Sequence, residues 1–229
     1  LKNFGLNIHR PKRPGSMWAR VTALGSYREV GRACHLVTTN ESRIMIDVGV
    51  NVANDNDPMP FFNAPEALPV DKLDAVILTH AHLDHAGMLP ILFKYGYRGP
   101  VYCTPPTRDL MLLLQTDYLK IGGAEGKMAP YSMEDIRTCQ RHVVDVAWDQ
   151  TTDIAPDVKM TFSNSGHILG SSAVHLHIGD GKHNLLFSGD QKYEKSWLFD
   201  AANTRFPRVE SLVLESTYGS EGDYQPSRQ

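Results

Sequence analysis

The sequence ILTHAHLDHAG, residues 77–87, places three histidines and one aspartate within six positions, directly after an apolar run. If that run is a strand extending to His80, then His80 and His82 project to the same side, because side chains alternate along a strand. Asp84 and His85 follow where the chain turns toward a helix. Imidazole and carboxylate groups together are typical ligands for zinc and similar divalent metals. The spacing therefore favours a site for two metal ions over a chance histidine-rich turn.

Six residues cannot complete such a site, so the remaining ligands must come from other strand ends. FSNSGHILGSS (162–172) places His167 between glycines just after a predicted strand, where close approach is possible. LLFSGDQ (185–191) places Asp190 after an apolar run and a glycine. Taken alone, each has an ordinary explanation, as a locally bonded histidine or as a Ser-Gly-Asp turn. Their order after HAHLDH favours metal ligation.

Two other patterns have less specific explanations. His175 and His177 in SAVHLHIGD (172–180) share the spacing of the first histidine pair, but they lack a nearby carboxylate, so we do not predict a metal site there. Arg108 and Lys120 lie on or near a predicted helix and could meet the phosphates of a nucleic acid. A solvated helix face is the simpler interpretation of these two cations.

The composition limits the class of protein. The chain has 229 residues, 41% hydrophobic and 21% charged, which is enough for one large domain. The formal net charge of -3 gives no global attraction to nucleic acid, so any such binding depends on a local feature. Cys34, Cys103 and Cys139 are far apart, which favours reduced packing residues over disulfides. With no apolar run long enough to span a membrane and no secretory signal, we expect a cytoplasmic protein.

Short runs rich in β-branched residues predict strands over much of the chain. Three of them, at 17–25, 31–39 and 42–50, are separated by turn residues, as expected for antiparallel neighbours. TPPTRDLMLLLQTDYLKIGG (104–123) predicts a helix, with Thr104 available as its N-cap. We expect two mostly antiparallel sheets with helices outside, an αββα sandwich of the α/β class.

The motifs, taken in order, resemble those of the metallo-β-lactamase superfamily: Asp47 in MIDVG, HAHLDH at 80–85, His167 in GHILG and Asp190 in SGD. LVLESTYG (212–219) is similar to the first motif of the β-CASP branch of nucleic-acid-cleaving enzymes, with Glu215 as its acidic residue. The sequence VTALGSYREVGRACHLV (21–37) resembles the corresponding sequence of archaeal relatives of the cleavage and polyadenylation specificity factor nuclease. These relatives combine KH, metallo-β-lactamase and β-CASP regions.

The resemblance implies roles for individual residues. His80, His82 and His167 would hold a first zinc ion, Asp84 and His85 a second, and Asp190 would bridge them. Asp47 would support the site through hydrogen bonds. Glu215 would orient a downstream histidine that acts on the leaving group. We therefore name as candidate catalytic residues Asp47, Asp84 and Glu215.

The resemblance also implies a domain organisation. Residues 1–16 are basic, contain two prolines and have no acidic residue, so they are expected to be a linker from an upstream KH region, although a solvated tail would look the same. Residues 17–219 would form the metallo-β-lactamase domain, and residues 220–229 would begin the β-CASP insertion. Two further histidines of the family pattern would lie beyond this span, so the sandwich and the second zinc site are expected to be incomplete and this fragment inactive.

The implied function is zinc-dependent cleavage of RNA phosphodiester bonds, of the type used in RNA 3′-end processing or transcription termination. The action would be endonucleolytic, with 5′-to-3′ exonuclease action also open, and the partners would be single-stranded RNA, a second copy of the chain and the transcription machinery, with no membrane. From the residues alone, without the resemblance, we can infer only that the protein is a dinuclear metallohydrolase. A small-molecule hydrolase of the glyoxalase or lactamase type and a non-catalytic RNA-binding or assembly module therefore remain open.

Overall fold

The structure, a computed structural model, describes residues 16–54, 56–65 and 67–223. Most of the predicted basic linker, and residues 224–229 of the predicted insertion, lie outside the described residues. The described part consists of two β-sheets packed face to face, with helices against one outer face. No helix among these residues is both long and apolar enough to cross a membrane.

The first sheet has six strands. In spatial order they are β1 (Ala19–Gly25), β2 (Cys34–Thr39), β3 (Arg43–Ile46), β4 (Ala75–Ile77), β5 (Val101–Cys103) and β6 (Val143–Asp145). The pairs β1/β2 and β2/β3 are antiparallel, as predicted. From β3 to β6 the pairing is parallel, so the expectation of mostly antiparallel sheets is wrong for this half of the sheet. Helices cross between β4 and β5 and between β5 and β6, and such crossovers return the chain in the same direction.

The second sheet has five strands. They are β7 (Thr151–Ala155), β8 (Val158–Asn164), β9 (Ser172–Ile178), β10 (His183–Phe187) and β11 (Ser211–Val213). The first four pair in sequence order and are antiparallel, whereas β11 runs parallel to β10 at the edge.

The helices lie outside the first sheet. They are α1 (Leu83–Ala86), α2 (Leu89–Lys94), α3 (Pro105–Ala124) and α4 (Met133–Arg141). Their apolar residues share one core with the first sheet's outer face. No helix among the described residues covers the outer face of the second sheet. The α/β sandwich is thus present with one helical layer, in agreement with the prediction of an incomplete αββα architecture.

Alternation along the strands separates two cores. In β3, Ile44 and Ile46 face the second sheet, whereas Met45 between them faces the helices. In β2, Val37 faces the second sheet and Leu36 the helices. This period of two is what a strand buried on both faces requires.

The three cysteines are free and buried, and all belong to the core between the first sheet and the helices. Burial raises the pKa of each thiol. A thiol kept in its neutral form is a poor nucleophile and a poor metal ligand. The cysteines are packing residues, as expected from the sequence.

Close backbone contact holds the HAHLDH turn against the first sheet. Val48 N–H donates to His85 O at 2.7 Å, and Ala33 N–H donates to Asp84 O at 2.7 Å. Gly49 lies beneath this contact, where a Cβ atom would come within 1.6 Å of Asp84 O. Only glycine allows the two chain segments to approach this closely.

We therefore expect Gly49→Ala to destabilise the fold by about 1–3 kcal/mol, because either the backbone at Asp84 or that of residue 49 must move. Urea unfolding monitored by circular dichroism measures the loss. Gly122→Ala is the control, since no atom lies within 4 Å of the added methyl group and the position is helical. Equal stability of the Gly49→Ala variant and the wild type would show that the close approach imposes no constraint.

Candidate metal centre

Four side chains from both sheets converge at one edge of the sandwich. They are His80, His82, His167 and Asp190, each of which offers one ligand atom, and these atoms all lie within 4.8 Å of one another. His80 and His82 follow β4, His167 lies between β8 and β9, and Asp190 follows β10. All these segments reach the same edge because β8 ends, β9 begins and β10 ends there.

The distances between these atoms fit one tetrahedral metal ion. His82 Nδ1 lies 3.1 Å from His80 Nε2 and 3.2 Å from His167 Nε2. Asp190 Oδ2 lies 3.4 Å from His167 Nε2 and 3.8 Å from His80 Nε2. Ligand atoms about 2.0–2.1 Å from a tetrahedral zinc ion are roughly 3.3 Å apart. Both the donor chemistry and the spacing therefore suit zinc.

Asp84 and His85 form a second, less compact group beside the first. His85 Nε2 lies 3.7 Å from Asp84 Oδ2 and 3.2 Å from Asp190 Oδ1. The other oxygen of the same aspartate, Oδ2, faces His80 and His167. One carboxylate thus presents a separate oxygen to each group, which is the arrangement that a bridging ligand needs.

A buried hydrogen-bond network fixes the orientation of two of these histidines. Asp47 Oδ1 accepts from Thr79 N–H at 2.8 Å, and Oδ2 accepts from Thr79 Oγ1–H at 2.8 Å. His85 Nδ1–H donates to Asp47 Oδ2 at 2.8 Å. Because the Thr79 hydroxyl donates its proton to Asp47, it can only accept from His80, whose Nδ1–H lies 3.0 Å (N to O) from Thr79 Oγ1. Both rings are then oriented with Nε2 directed into the site, and the Nε2 of the neutral His80 ring is the unprotonated nitrogen that a metal-ligating histidine requires.

Charge around the site favours a cation. Burial lowers the pKa of His80 well below its usual value, and His85 lowers it further, so His80 is a neutral imidazole at neutral pH. Burial would raise the pKa of Asp190, but the hydrogen bond and charge of His85 outweigh it and hold that pKa far below its usual range. Burial would lower the pKa of His85, but Asp47 and Asp190 outweigh it and raise that pKa. The carboxylates thus concentrate negative potential where divalent ions would supply positive charge.

The loop that carries His167 is held from two sides. Ser171 Oγ accepts from the backbone N–H of His167 at 3.1 Å, which closes the loop on itself. Thr104 Oγ1–H donates to Gly170 O at 2.7 Å. Thr104 is the N-cap residue of α3, as predicted, but its side chain makes no cap hydrogen bond. Its hydroxyl instead joins the helix to the His167 loop.

Glu215 lies on the wall of a cleft beside these groups. The cleft has a volume of about 510 Å³, and its lining includes Asp84, His85 and Asp190. Glu215 N–H donates to Ser188 Oγ at 2.9 Å, and Glu215 Oε2 accepts from Thr217 N–H at 2.9 Å. The side chain therefore adjoins the centre without belonging to the four-residue cluster.

The structure brings every candidate site residue named from the sequence to this edge of the sandwich. Their roles as ligands or catalytic groups stay predictions. Thr79 was missed, although its position directly before HAHLDH was a usable signal. Elsewhere, His175 Nε2 contacts Arg208 O at 2.9 Å and His177 Nδ1 contacts Asn184 Oδ1 at 2.9 Å, so both histidines have local hydrogen-bond partners.

This fold with a histidine and aspartate cluster at one sheet edge is that of the metallo-β-lactamase superfamily, whose family model matches residues 27–223. The chain belongs to this superfamily. Curated relatives similar to this chain include archaeal proteins named transcription termination factor FttA. The protein from Methanosarcina mazei is 55% identical over 99% of this chain, and that from Methanocaldococcus jannaschii is 52% identical over all of it. In both cases the chain spans 36% of the relative's length.

Solved structures agree on the fold. A metallo-β-lactamase from Cronobacter sakazakii, a HARLDQ motif mutant, has a TM-score of 0.50 at 20% identity, covering 76% of this chain and 64% of that chain. A protein of unknown function from Enterococcus faecalis V583 has a TM-score of 0.54 at 16% identity, covering 78% of this chain and 44% of that chain. At such low identity the likeness extends to the fold alone.

We expect Thr79→Val to weaken zinc binding about 10–100-fold, because the hydroxyl that orients His80 and joins it to Asp47 is lost. Chelator competition titration of the metal-free protein measures the affinity. Thr38→Val is the matched control, since the Thr38 hydroxyl is buried and has no hydrogen-bond partner among the described residues. Unchanged zinc affinity of the Thr79→Val variant would contradict this role.

Proposed function

We propose that this chain is the metal-binding part of a zinc-dependent ribonuclease that cleaves RNA phosphodiester bonds during transcription termination. The observation that carries the proposal is the orientation of the Asp190 carboxylate, with one oxygen facing His80 and His167 and the other facing His85. A carboxylate oriented in this way suits two metal ions, which is the arrangement many phosphodiesterases use. The name of the archaeal relatives, transcription termination factor, supports termination as the process. RNA as the substrate is supported by the resemblance of LVLESTYG (212–219) to the first β-CASP motif.

The chain's own residues prepare the site for hydrolysis. A bound pair of divalent ions would supply an activated water and offset the charge of a phosphate. Asp190 and Asp84 would keep those ions at a fixed separation. Asp47 and Thr79 would hold the rings of His85 and His80 with Nε2 toward the ions, so that no reorganisation is needed when RNA arrives.

Glu215 has a separate role in this proposal. It lies on the cleft wall, where it would orient a proton-donating histidine supplied by the β-CASP insertion, and we place the start of that insertion at residues 220–229. Residues 1–16 would link an upstream KH region to the domain at 17–219. The second ion would also need a histidine from outside this span, so the chain alone would be inactive.

The proposed partners follow from the same reasoning. They are single-stranded RNA, the transcription machinery and a second copy of the chain. Buried, unpaired cysteines suit a reducing cytoplasm. Whether cleavage is endonucleolytic or proceeds from the 5′ end is decided by product analysis rather than by the geometry of the cluster.

Two alternative functions are tested by the same measurements. A small-molecule hydrolase would keep the metal cluster but act on a thioester or lactam instead of RNA. A non-catalytic module would bind RNA without metal-dependent turnover. The second alternative is disfavoured because all the metal-binding side chains named from the sequence are gathered at one edge.

We expect the double substitution His82→Ala, Asp84→Ala in the full-length protein to abolish cleavage of labelled single-stranded RNA. Each change removes one donor, His82 from the compact group and Asp84 from the other, so neither ion is held correctly. Gel analysis of the products measures cleavage, and elemental analysis measures zinc per chain.

The matched control is His183→Ala, Asp153→Ala, which removes the same residue types away from the site. His183 contacts Ser211 Oγ at 3.0 Å, and Asp153 pairs at the surface with Lys159, so this variant should cleave RNA like the wild type. RNA cleavage that survives in the His82→Ala, Asp84→Ala variant would remove the proposed mechanism. A wild-type protein that hydrolyses lactams or thioesters but not RNA would favour the first alternative.

A further inference from the structure

A strained loop lines the same cleft as Glu215. This loop, residues 26–32, is called the Arg28 loop below. Ser26, Arg28 and Arg32 have φ angles of 67°, 64° and 45°, in the left-handed region that non-glycine residues rarely adopt. Such conformations cost about 1–3 kcal/mol each and persist only where the surroundings impose them. Their concentration in seven residues beside the metal centre indicates a functional constraint on this loop.

The surroundings that impose the loop conformation are centred on Arg32. Its guanidinium is buried and makes two hydrogen bonds to Glu29, from Nε to Oε1 at 2.6 Å and from Nη2 to Oε2 at 2.9 Å. Nη1 donates to Asp57 Oδ2 at 2.7 Å, and the guanidinium carbon lies 4.3 Å from the centroid of the Phe61 ring. A bidentate, stacked arginine of this kind holds a loop far better than a single ion pair does. The Arg28 loop is therefore a fixed wall.

Arg28 itself is left available by this arrangement. It is exposed, and within the described part of the chain no hydrogen bond or ion pair engages its guanidinium. Glu29 next to it is already committed to Arg32. The local acidic side chain therefore does not neutralise Arg28.

The charges that line the cleft indicate a role for the Arg28 guanidinium. Among the described residues that line it, the carboxylates are Glu29, Asp47, Asp84, Asp190 and Glu215, and Arg28 is the single lysine or arginine. Bound metal ions would offset the negative charge of these carboxylates only next to the phosphate that reacts. A strand of several phosphates needs a further cation along its path, and a guanidinium binds phosphate through paired hydrogen bonds.

Resting on the proposed function, we infer that Arg28 binds a phosphate of the RNA strand adjacent to the phosphate that is cleaved. Arg28 is thus a positioning residue that aligns the strand across the metal centre. The Tyr27 ring beside it is half-exposed, and its hydroxyl lies 3.1 Å from His35 Nδ1. The Tyr27 ring therefore continues the same wall for the neighbouring nucleotide.

The test uses the full-length protein and two substrates, single-stranded RNA and bis(p-nitrophenyl) phosphate, a small diester with no neighbouring phosphate. We expect Arg28→Ala to lower kcat/KM for RNA about 10–100-fold, mainly through KM, as loss of a charge-assisted hydrogen bond predicts. Hydrolysis of the small diester should stay within about twofold of wild type, and Arg28→Lys should recover part of the loss. The slope of log binding affinity against log salt concentration should fall by about 0.7 in Arg28→Ala, as for one lost phosphate contact on a single strand.

Arg137→Ala on α4 is the charge-matched control, since Arg137 lies outside the cleft, and its RNA kinetics should equal those of wild type. Wild-type KM for RNA in Arg28→Ala would overturn the inference and leave the ribonuclease proposal standing. An equal loss on both substrates would mean that Arg28 acts through the metal centre, which also overturns it. A wild-type protein that hydrolyses the small diester but leaves RNA uncut would overturn the proposed function and this inference together.

Discussion

Thr79 joins the parts on which the rest of the centre depends. Its backbone N–H and its hydroxyl both donate to Asp47, which fixes the ends of two parallel strands side by side. Its carbonyl accepts from Ser172 N–H at 2.8 Å, which ties the first sheet to the start of β9 in the second. Gly189 packs against it so closely that a Cβ there would lie 2.9 Å from Thr79 Cβ. One buried residue thus sets the relation between three of the segments that carry candidate metal-binding side chains.

The sequence was most informative where chemistry and position coincide. HAHLDH, His167 and Asp190 could be found because histidine and aspartate after short apolar runs are unusual, and because strand ends gather at a sheet edge. The resemblance to the metallo-β-lactamase superfamily is confirmed over residues 27–223. The α/β class and an incomplete αββα sandwich were also expected from the sequence. These features depend on local patterns or on motif order, and both can be read from a single chain.

Strand direction, and the hydrogen bonds that cross between segments, were not predicted. The side-chain pattern of the four short strands β3 to β6 does not indicate whether neighbouring strands run parallel or antiparallel. The helices predicted between β4 and β5 and between β5 and β6 did indicate parallel pairing, and this signal was overlooked. Thr104 has the features of an N-cap, yet its hydroxyl bonds to Gly170, 66 positions away in sequence. Likewise, nothing in GSYREVGR alone reveals that Arg32 would be buried against Asp57 and Phe61 and leave Arg28 without a partner among the described residues. Such contacts are decided by tertiary packing rather than by local preference.

The candidate ligand atoms are contributed by both halves of the sandwich, His80 and His82 by one sheet and His167 and Asp190 by the other. The geometry of the cluster therefore depends on how the two sheets pack against each other. A change in the apolar layer between them, at Phe162 or Ile77 for example, need not approach the histidines to disturb them. Sliding one sheet by a few tenths of an ångström would spoil the coordination polyhedron while leaving the protein folded, so tolerance to substitution here is narrower than stability alone would dictate.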